Sequence, residues 1–161
     1  MAVESLVKQL SHFAAPGMSS VPVSTHVGIE GASQSYKAGA PLIRSSGKLV
    51  TAGNAAVADI VGFAEKNATG VTDAAVPFIP AVPGISFEAT LENQSTGDYV
   101  LARADMFVDY GLRVTSGGLW YLNKNDTSTV AAVIIDFVDP LGTIQGRVRA
   151  RLLDTVTIYN D

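Results

Sequence analysis

The stretch Pro41-Leu42-Ile43-Arg44-Ser45-Ser46-Gly47-Lys48-Leu49-Val50, continued by Ala58-Asp59-Ile60-Val61-Gly62-Phe63-Ala64-Glu65, decides how this chain is read. Branched apolar residues run up to a Ser-Gly pair and resume beyond it, the pattern of two antiparallel strands joined by a tight turn. The pattern returns seventy positions later as Gly111-Leu112-Arg113-Val114-Thr115-Ser116-Gly117-Gly118-Leu119-Trp120, followed by Ala132-Val133-Ile134-Ile135-Asp136-Phe137-Val138-Asp139. Each stretch is expected to be a turn-linked β pair, and neither carries a reactive group. Two origins fit: duplication of a half-barrel, or convergence of hairpins that draw on few turn residues. Each arm is followed by a strand that opens with Gly, Gly84 to Ala89 in one case and Gly146 to Arg151 in the other. Three strands alone seldom bury enough surface to be stable, so the two arms are expected to share one core.

Working outward, short runs of Val, Ile, Phe and Thr recur from Tyr36 onward between Gly, Pro, Asn and Asp breaks. This predicts an all-β, mainly antiparallel body, a compact barrel or sandwich. Strands are expected near 36–44, 47–52, 57–65, 75–80, 84–92, 98–102, 111–115, 119–123, 130–138, 144–153 and 155–159. Between Arg103 and Tyr110, Met106, Phe107 and Tyr110 can share a helical face, so one helical turn is expected there, ended by Gly111. At the other end Val3, Leu6, Val7, Leu10 and Phe13 recur at helical spacing, which predicts a short amphipathic helix over 3–14 that stops at Pro16-Gly17. Residues 17–35, rich in Ser, Gly, Val and Thr around Val21-Pro22-Val23, read as an extended arm. The organisation expected is thus 1–35 as helix and arm, and 36–161 as a single β-rich body.

The length of 161 residues suits one domain with a real core. Charged residues make up only 16% where soluble domains average about 25%. A subunit packed against copies of itself or a larger assembly suits so uncharged a surface; a monomer coated in Ser, Thr, Asn and Gly is the alternative. The net charge is −4 and the cations are scattered singly over most of the chain, so direct nucleic-acid binding is not expected. Cysteine is absent, which excludes disulfides, thiolate metal sites and a Cys nucleophile. Glu4, Lys8, Gln9 and His12 interrupt any apolar run at the start, so no signal peptide is expected. Nor does any stretch approach the ~20 apolar residues of a membrane span, so no membrane contact is expected.

Histidine supply limits catalysis most sharply: His12 falls on the predicted helix and His26 in the arm. There is no G-x-S-x-G turn and no His pair at metal spacing. Lys48 follows Gly47, but Leu42 stands where a phosphate loop needs glycine, so that near-match is a hairpin turn. Asp98, Asp105 and Asp109 lie close in sequence, as do Asp136 and Asp139, yet no run has the alternating oxygen ligands of a calcium loop. No catalytic, cofactor-binding or metal residues are therefore assigned. Trp120 and Tyr121 are adjacent on a strand, so they are expected to face opposite sides, one core and one surface. A carbohydrate-binding module would have to use one of them.

One charge pattern stands out. Arg147, Arg149 and Arg151 alternate with Val148, Ala150 and Leu152 on a predicted strand, which puts three guanidinium groups on one face. Two readings fit such a row: a solvated face with local acidic partners such as Asp136 or Asp154, or a subunit contact in which Arg forks onto carboxylates.

The run Ala40 to Val50, then Ala58 to Ala64, then Gly84-Ile85-Ser86-Phe87-Glu88-Ala89, resembles the head-decoration (cement, head-stabilising) proteins of tailed bacteriophages, including those of lambda-like phages. The resemblance covers about a third of the chain and rests on short apolar motifs. It implies a non-enzymatic homotrimer, without cofactors, that binds the outer surface of an expanded capsid and pins neighbouring copies of the major capsid protein. It also implies an N-terminal arm, here Ser19 to Ser35, that orders on capsid contact. Val21, Val23, Val27 and Ile29 in that arm, with Arg147, Arg149 and Arg151, are the expected capsid or subunit contacts. The chain departs from smaller family members in its length, its predicted helix and its second hairpin arm. Another phage head-completion or tail protein shares the same β-rich, low-charge composition.

Overall fold

The structure, a computed structural model, describes residues 10–11, 25–53, 55–56, 58–82, 85–93 and 100–158. Among these the strands are β1 (Leu10–Ser11), β2 (His26–Ile29), β3 (Pro41–Ser45), β4 (Lys48–Thr51), β5 (Ala55–Ala56) and β6 (Ile60–Ala64). They continue as β7 (Ala75–Pro80), β8 (Ser86–Glu92), β9 (Asp109–Val114), β10 (Trp120–Asn123), β11 (Ala132–Phe137) and β12 (Arg147–Leu152). Single 3₁₀ turns occur at Arg103–Asp105 and Asp154–Val156.

The quoted stretch folds as its pattern demands. Arg44 and Ser45 pair with Leu49 and Lys48 across a two-residue turn. Both turn residues, Ser46 and Gly47, have positive φ (50° and 80°), which matches the twist of the strands they join. The later copy makes the same hairpin between β9 and β10 with a longer loop, closed by the Thr115 N–H donating to the Leu119 carbonyl at 2.8 Å.

Pairing then builds two rings of one design. In the first, strands β4, β3, β6, β7 and β2 are antiparallel neighbours in that order. Its ends meet through a parallel bridge between Glu30 and Leu49, with the Gly31 N–H donating to the Leu49 carbonyl at 2.8 Å. In the second, β10, β9, β11, β12 and β8 follow in the same order, also antiparallel. That ring closes by parallel pairing of Leu91 with Leu122 and Glu92 with Asn123. Strand by strand, β2, β3, β4, β6 and β7 therefore correspond to β8, β9, β10, β11 and β12. The repeat is larger than the two hairpin arms, and its phase differs from the expected one. The counterpart of β12 is β7, whereas β8, which opens near Gly84, starts the second ring and is the counterpart of β2.

Alternation fills the barrels. In the second, Phe87, Ala89, Leu91, Leu112, Leu122, Ile134, Val148 and Ala150 are all fully or almost fully buried. Each large aliphatic or aromatic side chain so buried stabilises the fold by about 1.5–3 kcal/mol. A register shift between Ile134 and Asp136 lets Ile134 and Phe137 point inward while Asp136 pairs with Arg149 on the outside. In the first barrel Gly62 is why β6 and β7 can approach. A Cβ there would lie 2.2 Å from the Ile79 carbonyl oxygen and 2.7 Å from the Phe78 ring.

The barrels are joined by more than a linker. Phe63, on the outer face of the first, packs against Phe87 of the second with ring centroids 4.9 Å apart. β5, from the first half of the chain, adds to β9. In return Thr157 bridges to Ile60, and the Ile158 N–H donates to the Ile60 carbonyl. One hydrophobic cluster runs through both.

Several expectations are corrected. Leu10–Ser11 is not helical: it pairs antiparallel with Ser86–Phe87, because an exposed strand edge satisfies a backbone that ~12 residues of helix could hold only weakly in water. The rest of the predicted helix, with Val21 and Val23, lies outside the described residues. His26–Ile29, expected in the arm, is a barrel strand, held by four rungs to β7. The helical turn is confined to Arg103–Asp105, and β9 starts at Asp109 before Gly111 is reached. Among the described residues of 98–102 only Val100 is bridged, to Ile144, and among those of 155–159 the Asp154–Val156 turn is followed by a single bridged residue, Thr157.

These assignments separate two truncations. A chain starting at residue 25 should keep a cooperative thermal transition close to that of the full protein, having lost only β1 among described elements. A chain starting at residue 36 loses β2 and Glu30, opens the first ring, and should melt many degrees lower or without cooperativity by circular dichroism. Equal melting of the two would show that β2 is dispensable.

Candidate functional site

The arginine row comes out on the outer face of β12, as alternation requires. Arg147 binds Asp139 through Nη2 at 2.9 Å and Nε at 3.3 Å, and its own N–H donates to the same carboxylate at 2.8 Å. Its other side reaches Glu88 at 3.7 Å. Arg149 stands between Asp136 at 3.5 Å and Glu88 at 3.9 Å, both cross-strand neighbours. The Arg147 guanidinium, opposed by partial burial, holds the Asp139 carboxyl below its ordinary range, and Asp139 in turn raises Arg147. For these two cations the local acidic partners are realised, Asp136 among them. Arg151 is exposed and lines a shallow recess at the seam with Phe63, Val82, Ile85 and Asp154.

The remaining carboxylates of interest serve as struts. Glu30 is 0% exposed. It accepts hydrogen bonds from the Tyr36 hydroxyl at 3.0 Å, the Thr69 N–H at 2.9 Å and the Thr69 hydroxyl at 2.9 Å. Burial alone would raise its pKa, but these donors, together with the Gly70 N–H, bring it below the ordinary value. Burial, reinforced by Glu30, pushes the Tyr36 hydroxyl up.

The second barrel has its own version of this clasp. Buried Asp105 accepts from the Tyr110 hydroxyl at 2.9 Å and the Ala102 N–H at 2.9 Å, and it pairs with Lys124 at 2.7 Å. Buried Asp126 takes Arg113 Nε at 2.6 Å and the Thr129 N–H at 3.1 Å. Gly111 leaves room for that carboxylate, since a Cβ would lie 2.4 Å from its Oδ2. In each case donors of the same subunit take up the oxygens, and the carboxylate fixes a loop to a strand.

The other sequence candidates are dispersed. His26 lies at the end of β2 with its ring edge-on to Phe78, centroids 5.9 Å apart. Asp109 is exposed, and Asp98 and His12 lie outside the described residues. Among the described residues no three His, Asp or Glu side chains are grouped to hold a metal ion, and no helix is long and apolar enough to cross a membrane. Trp120 and Tyr121 do not divide into core and surface: they are 3% and 4% exposed. Trp120 joins the barrel core, and Tyr121 is enclosed beside Glu92 and Arg113, which leaves neither ring a face for stacking on a sugar.

What the surface does present is apolar. Val27 is 70% and Ile29 42% exposed on the outer face of β2, next to Pro77 and Ala75 of β7. The sequence reading named both. It missed a second group on the other barrel, Val100, Phe107, Leu141 and Ile144. The available signal was an aliphatic pair, Leu141 and Ile144, inside a Pro-Gly turn segment where polar residues are usual. Compared with known proteins, the chain matches no family model and no curated protein.

The Glu30 clasp has a pH signature. A carboxyl whose folded pKa lies below its unfolded value adds stability above the ordinary value of 4.5, and loses it as pH falls through the folded pKa. Glu30→Gln should therefore destabilise by about 1–3 kcal/mol at pH 7 in urea unfolding, with the deficit shrinking at pH 3. A deficit of the same size at both pH values would refute the charged clasp.

Proposed function

We propose that this chain is a non-enzymatic structural protein of a tailed-phage virion, which binds the outer surface of the expanded capsid and stabilises it. The observation that carries the reading is the exposed aliphatic pair Val27 and Ile29 on the outer wall of the first barrel. Apolar, β-branched side chains on an outward strand are a contact surface for another protein. They lie within residues 19–35, which the resemblance to head-decoration proteins reads as a capsid-contacting arm, on the part of it that folds as β2. The low charge of the chain, 16% of residues, fits a subunit that spends its working life against other protein surfaces. So does the local pairing of Arg147 and Arg149, which leaves Arg151 to rim a contact.

The physical task asks for no chemistry. A ligand that binds the expanded lattice and not its precursor stabilises the expanded state by mass action. Modest contacts suffice when they are repeated, and a homotrimer docked on the major capsid protein would repeat each contact three times.

Purified protein incubated with expanded shells and with unexpanded precursor shells of its own phage, then sedimented, should pellet in many copies with the expanded form alone. Equal binding to both forms, or to neither, would overturn the proposal. A stoichiometry of a few copies per particle would instead favour a head-completion component.

A further inference from the structure

β2 is paired with β7 along its whole length but meets β4 only at its end. The Glu30 N–H donates to the Ala74 carbonyl beside β7 at 2.9 Å, whereas the Gly31 N–H donates on the opposite side, to Leu49, at 2.8 Å. Backbone groups alternate in direction along a strand, so Val27, like Gly31, points its N–H and carbonyl away from β7. The residue opposite agrees: Pro77 has no N–H to give to the ladder. On the side that Val27 faces, β4 runs parallel to β2 where Leu49 meets Glu30, and three residues earlier the chain has turned away at Ser46 and Gly47. Among the described residues nothing pairs with the Val27 N–H and carbonyl on that side, and Val27 is 70% exposed. An unpaired donor and acceptor on a strand edge fit one kind of ligand, another strand.

The repeat shows how such an edge is covered. The Ala64 N–H donates to the Ala40 carbonyl, two residues before Leu42, and Ala132 pairs with Tyr110, two residues before Leu112. Onward, Ala64 pairs with Phe78 and Ala132 with Leu152. One residue back, Pro77 takes the place of Arg151, so Val27, opposite Pro77, takes that of Ser86, opposite Arg151. In the second barrel that edge is covered: Ser11 of β1 pairs antiparallel with Ser86. The fold thus adds an extended segment to one of two matching edges and leaves the other open.

We propose that the Val27 edge of β2 receives an extended segment of the capsid protein, which adds to the first barrel as β1 adds to the second. The inference rests on the capsid-binding reading and supplies its mode, backbone pairing rather than side-chain packing alone. A second copy of the chain has no such segment to lend. Its short added strands among the described residues, β1 and β5, are already spent on β8 and β9.

Val27→Pro tests this, because it removes the outward N–H and leaves the bonds to β7, proline being tolerated where a strand donor faces away from its ladder. Val27→Thr is the control, since it keeps both the N–H and the branched shape. Val27→Pro is expected to bind expanded shells about tenfold more weakly, the loss of one or two backbone hydrogen bonds, and Val27→Thr to bind like wild type. Hydrogen exchange read by mass spectrometry on the wild type gives a measurement that needs no variant: peptides spanning 25–31 should exchange more slowly on expanded shells than in free solution. Unchanged binding by Val27→Pro, equal weakening by the two variants, or unchanged exchange on shells overturns this inference and leaves the capsid reading standing. Protection of the same peptides that grows with protein concentration, without shells, would make the occupant a second copy and overturns it too. Wild type that binds no shell would remove both.

Discussion

Each barrel depends on one parallel contact. A run of hairpins can lay strands side by side without limit, but it cannot bring the last edge back to the first. Here the strand that opens each unit returns to lie parallel to the third strand, β2 against β4 and β8 against β10. Closure removes two sheet edges at once, which is the surest protection against unwanted pairing. A glutamate stands at each closing contact. Glu30, with its oxygens taken up by Tyr36, Thr69 and Gly70, fixes the connector and the β6–β7 loop to the first. Glu92 pairs with Asn123 at the second, where burial raises its pKa.

From that constraint the division of labour among the charged residues follows. Five of the described cations are committed to carboxylates: Arg147 to Asp139, Arg149 to Asp136 and Glu88, Arg113 to Asp126, Lys124 to Asp105, Lys48 to Asp73. The exposed pairs among them add about 0–1 kcal/mol each, whereas Asp105 and Asp126 are buried and fix loops to strands. The surface also exposes aliphatic and aromatic side chains, among them Val27, Ile29 and Phe107.

Much of the fold was legible because alternation and turn chemistry speak locally. Ser46-Gly47 announced its hairpin, and the runs at 75–80 and 130–138 landed on β7 and β11 within a few residues. The strand that closes the first ring was not legible. β2 carries Gly28 at its centre, a residue that argues against a strand until Leu49 is seen occupying the space a side chain would need. The N-terminal periodicity failed at Leu10–Ser11 for a related reason: pairing with β8 is a tertiary gain that a local pattern cannot report. Alternation predicted that one of Trp120 and Tyr121 would be surface, yet both are enclosed, Tyr121 beside its cross-strand partner Arg113 and beside Glu92 of β8. Of the exposed apolar residues, Val27 and Ile29 were readable as apolar positions in an arm. Phe107 was not, since its ring shares a helical spacing with Met106 and Tyr110 and only the left-handed backbone turns it outward.

The seam between the barrels sets an order on synthesis. Ile60 emerges from the ribosome about a hundred residues before Thr157 and Ile158, the residues that fasten to it. The leading barrel, though its own ring is long since translated, keeps one flank unlatched until Thr157 and Ile158 have been made. That flank of the first barrel is therefore finished only once the strands of the second have been made, so the seam is a late event however early the first ring closes.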